Sequence, residues 1–122
     1  MKRHVLIVDD EFGLAETMSD LLTDRGFQVA IAMNGKIAWQ LIEESTPHLI
    51  LLDTMMPVMD GPTFLTRLRQ DERFAKLAVV LMTSLPLERF TALSGLYQAI
   101  VRKPFSPETL FSLVEQHIAK AP

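Results

Sequence analysis

The sequence predicts an α/β domain, a doubly wound five-stranded parallel sheet with helices on both faces. Three observations predict it. Apolar runs of strand length alternate five times with stretches whose apolar residues recur at helical spacing, and alternation at that period implies right-handed crossovers and a parallel sheet. The runs are continuously apolar, as in Ile50-Leu51-Leu52, which is the pattern of a strand covered on both faces. Asp9, Asp10, Asp53, Thr83 and Lys103 all fall at the ends of runs, on the carboxyl edge where such sheets place their chemistry.

The elements follow in order. Val5 to Val8 fill a first strand over 4–8, which ends in Asp9-Asp10-Glu11. Leu14, Met18, Leu21 and Leu22 mark the first helix, and Gly26 stops it. A second strand covers 27–32, and Asn34-Gly35 turns the chain into a second helix with Ala38, Leu41 and Ile42 on one face, closed by Pro47. The third strand, 48–52, delivers Asp53, and Pro57 forbids its continuation. Asp60-Gly61-Pro62 restarts a helix that buries Phe64, Leu65 and Leu68. A fourth strand over 77–82 ends at Thr83-Ser84, and a weaker fourth helix spans 86–94, ended by Gly95. A short fifth strand covers 99–101. Ser106-Pro107-Glu108 caps a last helix with Leu110, Leu113, Val114 and Ile118 as its buried stripe.

The 122 residues suit one domain spanning 1–122, and 48% hydrophobic content supplies its core. No apolar stretch is long enough to span a bilayer, and the N-terminal run meets Asp9 too soon for a signal peptide. Cysteine is absent, which excludes disulfides and thiolate zinc sites. A soluble, cytoplasmic domain is expected. The net charge of -3 gives no electrostatic case for nucleic acid or anionic membrane. His4, His48 and His117 lack metal-ligand spacing.

Carboxylates from Asp9, Asp10 and Asp53 gathered at one edge repel, so the site needs a cation. Hard oxygen ligands with open positions suit Mg²⁺. Lys103 adds a fixed positive charge, and Thr83 adds a hydroxyl able to donate to a bound oxyanion. With no Ser/His pair and no Gly-rich phosphate loop, the set suits phosphoryl transfer to a carboxylate, and Asp53, alone at the central strand, is its natural nucleophile. Each residue also has an ordinary reading. Asp9 and Asp10 suit helix caps, Asp53 a turn, Thr83 a β-branched strand end and Lys103 a solvated surface position. Met55, Met56 and Met59 read as packing, since no Cys or suitable His accompanies them. Trp39 is out of step with Ala38 and Leu41, and reads as a partly exposed residue or a partner contact.

Four motifs, Val8-Asp9-Asp10-Glu11, Leu52-Asp53-Thr54-Met55-Met56-Pro57 with Met59-Asp60-Gly61, Met82-Thr83-Ser84 and Lys103-Pro104-Phe105, stand in one order along essentially the whole chain. In this the sequence resembles the receiver domain of bacterial response regulators, the CheY-like family of two-component systems. The resemblance implies a flavodoxin-like strand order of 2-1-3-4-5. It implies Asp53 as phosphoacceptor, Asp10 as a direct Mg²⁺ ligand, Asp9 as one acting mainly through water, and the backbone carbonyl of Met55 as a further ligand. Lys103 would pair with the phosphoryl group, Thr83 would be the switch hydroxyl, and the Lys103-Pro104 bond would be cis. A sensor histidine kinase or phosphotransfer protein would feed the site, and a downstream effector that the sequence does not name would read it. The chain is expected to be a stand-alone receiver or the N-terminal receiver of a longer protein.

The resemblance has departures. Receivers usually carry Tyr or Phe three residues before the lysine; here it is Ile100, and the usual relay from hydroxyl to ring is in doubt. The stretch from Thr83 to Lys103 is short, so an irregular fourth helix and an atypical output surface are expected, with Arg102 on the side of Ile100. That face is where many receivers meet effectors or form homodimers. Met55 and Leu85, which in this family flank the attacking water, are apolar, so slow self-dephosphorylation is expected. The rivals are a phosphorylation-independent pseudo-receiver that binds partners, and an aspartyl-phosphate phosphatase. The phosphatase is disfavoured because Met55 stands where its second acid belongs, and a dinucleotide module is disfavoured by the absence of a Gly-rich turn. The reading is a switch and not an enzyme.

Overall fold

The computed structural model describes residues 2–118; position 1 and positions 119–122 of the expected 1–122 span lie outside them. The elements are β1 (His4–Val8), α1 (Phe12–Asp24), β2 (Gln28–Ala32), α2 (Gly35–Glu44), β3 (Leu49–Asp53), α3 (Gly61–Gln70), β4 (Val79–Thr83), a 3₁₀ helix (Leu87–Leu93), β5 (Ala99–Arg102) and α4 (Pro107–His117). The strands form one parallel sheet in the order β2-β1-β3-β4-β5, as expected.

Local sequence explains most boundaries. Asn34, Asp60 and Ser106 each accept the N–H three residues on (Ile37, Thr63 and Thr109) and so cap α2, α3 and α4. Gly26 closes α1 at φ +92, a conformation that L side chains rarely adopt. Glu11, the N-cap position of α1, makes no side-chain cap bond, so Asp9 and Asp10 are not spent as caps. β3 and β4 are buried at every position, while the edge strands β2 and β5 are only partly covered. Alternate residues point to opposite faces. Val5, Ile7, Leu51, Val80 and Met82 meet α1 and α4, while Leu6, Val8, Ile50, Leu52 and Leu81 meet α2 and α3.

One element differs in kind. The expected fourth helix over 86–94 is a 3₁₀ helix, with Ser94 N–H bonded to Thr91 and Leu96 N–H to Leu93. A 3₁₀ helix rises about 2.0 Å per residue against about 1.5 Å for an α-helix, so fewer residues cross the same gap. Pro86 starts the segment and Gly95, at φ +93, ends it. β4 also begins two residues late, because the Leu77 N–H is held by the Phe74 carbonyl in the preceding turn. Trp39 is half-buried, edge-on to Phe64 and Phe74 with the Arg67 guanidinium over its ring, and so reads as packing between α2 and α3.

Candidate functional site

The register brings the strand-end residues into rows. Asp53 lies level with Met82, and Met82 with Val101; Thr83 lies level with Arg102. Met82 and Val101 face α1 and α4, so Asp53 faces that side. The next row, with Thr54 and Thr83, faces the other.

Single ligand oxygens of Asp9, Asp10 and Asp53 all lie within 4.8 Å of one another. Asp9 and Asp53 are buried and Asp10 is exposed. Two of these carboxylates come from the end of β1 and one from β3, and the 2-1-3 order makes those strands neighbours. Lys103, beyond β5, reaches across: Nζ is 2.8 Å from Asp9 Oδ2, 3.4 Å from Asp53 Oδ1 and 3.5 Å from Glu11 Oε1. Its side chain is only 7% exposed, so it is not a solvated surface lysine. The Lys103-Pro104 bond is cis. Asp9 is held through both oxygens, since Oδ1 accepts the Glu11 N–H at 2.9 Å.

Burial, and then the charge of Asp9, raise the Asp53 carboxyl to a pKa of about 6, against the opposing pull of Lys103 and a hydrogen bond from the Met55 backbone N–H. Burial would lower the Lys103 ammonium, but its hydrogen bond to Asp9 and the charges of Asp53, Asp9 and Glu11 outweigh that and leave it raised. An excess of negative charge over positive in a dry setting favours a bound cation. Gly61 lets α3 start against the end of β3: a Cβ there would strike the Asp53 carbonyl oxygen and lie 2.8 Å from Thr54 Cα.

The structure thus brings together Asp9, Asp10, Asp53 and Lys103. Thr83 lies at the same edge with its hydroxyl on the far side of the pleat. Met55 is 59% exposed in the loop after β3, and Leu85 is half-buried with its N–H committed to Thr83 Oγ1. Sequence reasoning gave no role to Glu11, which faces Lys103, or to Thr54, whose hydroxyl meets Thr83. Adjacency to Asp9-Asp10 was a signal for Glu11. Thr54, buried just past β3, offered only its hydroxyl.

A doubly wound parallel sheet with an acidic, lysine-bearing cluster at its carboxyl edge defines a class of α/β domains, and the comparisons with known proteins narrow the class to one family. The family model for the response regulator receiver domain matches residues 5–115, and the chain belongs to that family, the receiver domains of two-component signalling. Response regulator Rre1 of Synechocystis is 37% identical over 119 residues, covering 95% of this chain and 52% of the relative. A 14.6 kDa protein from the sodA1 3' region of Leptolyngbya boryana is 32% identical over 120 residues, covering 97% of this chain and 92% of its own length. The chain spans about half the length of the other leading curated relatives. The chemotaxis response regulator CheY4 of Vibrio cholerae superposes with a TM-score of 0.89 at 26% identity, over 95% of this chain and 98% of that one. Among the described residues no helix is long and apolar enough to cross a membrane.

Proposed function

We propose that this receiver, one domain over 1–122, is a phosphorylation-dependent switch with Asp53 as phosphoacceptor. The observation that carries the reading is the grouping of three carboxylates within 4.8 Å beside a buried lysine. The oxygen-only donor set, with Asp10 exposed and Asp9 held by Lys103 and Glu11 N–H, fits Mg²⁺. Asp10, Asp53, Asp9 through water and the Met55 carbonyl would hold it. When bound, the metal neutralises charge on the transferring phosphoryl group.

The chain's own residues do the rest. A carboxylate oxygen of Asp53 attacks phosphorus, an O–P bond forms, and the N–P bond of a phosphohistidine donor breaks with its electron pair leaving on the imidazole. The donor is a histidine kinase or phosphotransfer protein. Phe12, Met55, Val58 and Leu87, large apolar side chains left exposed, all sit at the carboxyl edge and suit a protein donor better than a small molecule. Lys103 pairs with the phosphoryl oxygens, and Thr83 donates its hydroxyl to them. Met55 and Leu85, beside the site, offer no polar side chain to orient water, so self-dephosphorylation is expected to be slow. The second reading, a pseudo-receiver, draws on Ile100, which faces α2 and α3 as an aliphatic.

Intact-mass spectrometry after incubation with acetyl phosphate and Mg²⁺ tests the proposal. A single phosphoryl adduct is expected, lost without the metal and lost in Asp53→Asn. No adduct, with beryllofluoride also leaving the fold unperturbed, would favour the pseudo-receiver.

A further inference from the structure

Thr54 is 2% exposed, and its hydroxyl donates to Thr83 Oγ1 at 2.9 Å. The Leu85 backbone N–H donates to the same oxygen at 3.0 Å. A hydroxyl oxygen has two lone pairs and one hydrogen, so both acceptor positions of Thr83 are taken and only donation is left to it. The hydrogen bonds to the Asp53 carboxyl come from Met55 and Lys103, and not from Thr83. The pleat explains this separation. Asp53, level with Met82, faces α1 and α4, while Thr83, one residue beyond Met82, alternates to the side of α2 and α3, and Thr54, just past β3, meets it through the hydroxyl bond. The Thr83 carbonyl accepts the Lys103 N–H at 2.7 Å, so a shift of Thr83 is felt at the lysine backbone.

The geometry points to Thr54 as a latch: its hydroxyl holds Thr83 in a resting position turned away from Asp53, and a phosphoryl group on Asp53 has to break that bond to recruit Thr83. This inference rests on the reading of Asp53 as acceptor and Thr83 as its hydroxyl donor. Thr54 is a positioning residue, since it acts through Thr83 and touches neither metal nor phosphoryl group. The latch lies in the same layer as Ile100, whose aliphatic side chain offers Thr83 no polar partner. Restraint of the hydroxyl therefore falls to a neighbour just past β3 and not to a ring on β5.

Beryllofluoride, a phosphoryl mimic, tests the latch in titrations at saturating Mg²⁺ followed by ¹⁹F NMR. Thr54→Val keeps the side-chain shape and removes the donor. It is expected to bind beryllofluoride about fivefold more tightly than wild type, the equivalent of one neutral hydrogen bond. Thr54→Ser restores the donor and is expected to match wild type. In a Thr83→Val background, Thr54→Val is expected to change nothing. Should Thr54→Val fail to fold, Thr54→Ala is read in the same way. Binding by Thr54→Val equal to or weaker than wild type overturns the latch alone, as does an equal gain in the Thr83→Val background. Wild type that takes up no beryllofluoride overturns the phosphoacceptor reading, and the latch with it.

Discussion

At the scale of single residues, the site stores unfavourable charge. The Asp53 carboxyl, with a folded-state pKa of about 6, holds its proton more tightly folded than unfolded. The protonated form therefore stabilises the fold below the unfolded value near 3.8, and that contribution is lost as pH rises through about 6. Two units correspond to at most ~3 kcal/mol. Asp53→Asn is thus expected to raise stability by roughly 1–3 kcal/mol at pH 7.5, and the gain is expected to vanish toward pH 4. Urea denaturation of both proteins across that range checks it; a gain independent of pH would point to a cause other than ionisation. Lys103 shows why pairing outweighs burial here. It has carboxylate oxygens from three residues within 3.5 Å, and so stays charged in a setting that would otherwise discharge it.

At the scale of elements, the fourth crossover is the weak member. A 3₁₀ helix has poorer hydrogen-bond geometry than an α-helix, and this one buries only Phe90. Side chains outside the crossover make up the difference. Arg69 of α3 donates from Nε to the Leu96 carbonyl at 2.8 Å, and from one terminal nitrogen to the carbonyls of Phe74 and Ala75. Its other terminal nitrogen reaches Gln98 Oε1, which also accepts the Val79 N–H that opens β4. One guanidinium therefore ties α3, the α3–β4 turn and the segment leading into β5. Arg69→Ala is expected to cost about 2–3 kcal/mol, because several carbonyls lose a charged donor together. Arg69→Lys is expected not to recover it, since an ammonium lacks the planar fork. Denaturation and amide exchange around Leu96 and Gln98 check both. Unchanged exchange there would mean that the crossover is held by other contacts.

At the scale of the whole molecule, the proposed metal site is expected to make stability depend on Mg²⁺. A metal that binds only the folded chain stabilises it by mass action, by about 2.7 kcal/mol at a hundredfold excess over its Kd. For a chain of this size that amounts to roughly 10 °C in Tm. Mg²⁺ is expected to raise Tm, NaCl of equal ionic strength is expected not to, and Asp10→Asn is expected to abolish the metal's effect. Calorimetry distinguishes these, and a wild-type Tm indifferent to Mg²⁺ would remove the metal from the proposal.

How much was legible in the chain differs by feature. Five apolar runs, helix caps at Asn34, Asp60 and Ser106, and glycine stops at Gly26 and Gly95 are local signals. They determined the class of fold and nearly every boundary, because hydrophobic periodicity and backbone freedom act over a few residues. Strand-end position also determined that Asp9, Asp10, Asp53 and Lys103 share one edge, since parallel crossovers leave no other arrangement. What only the tertiary structure decided is pairwise and long-range. Lys103 rests on Asp9 across 94 positions of sequence, Arg69 spans 27 to meet Leu96, and Thr54 spans 29 to hold the Thr83 hydroxyl. The hydroxyl of a buried threonine has no periodicity to announce it, and the partner it takes is set by the register of β3 against β4, which no single stretch of sequence contains.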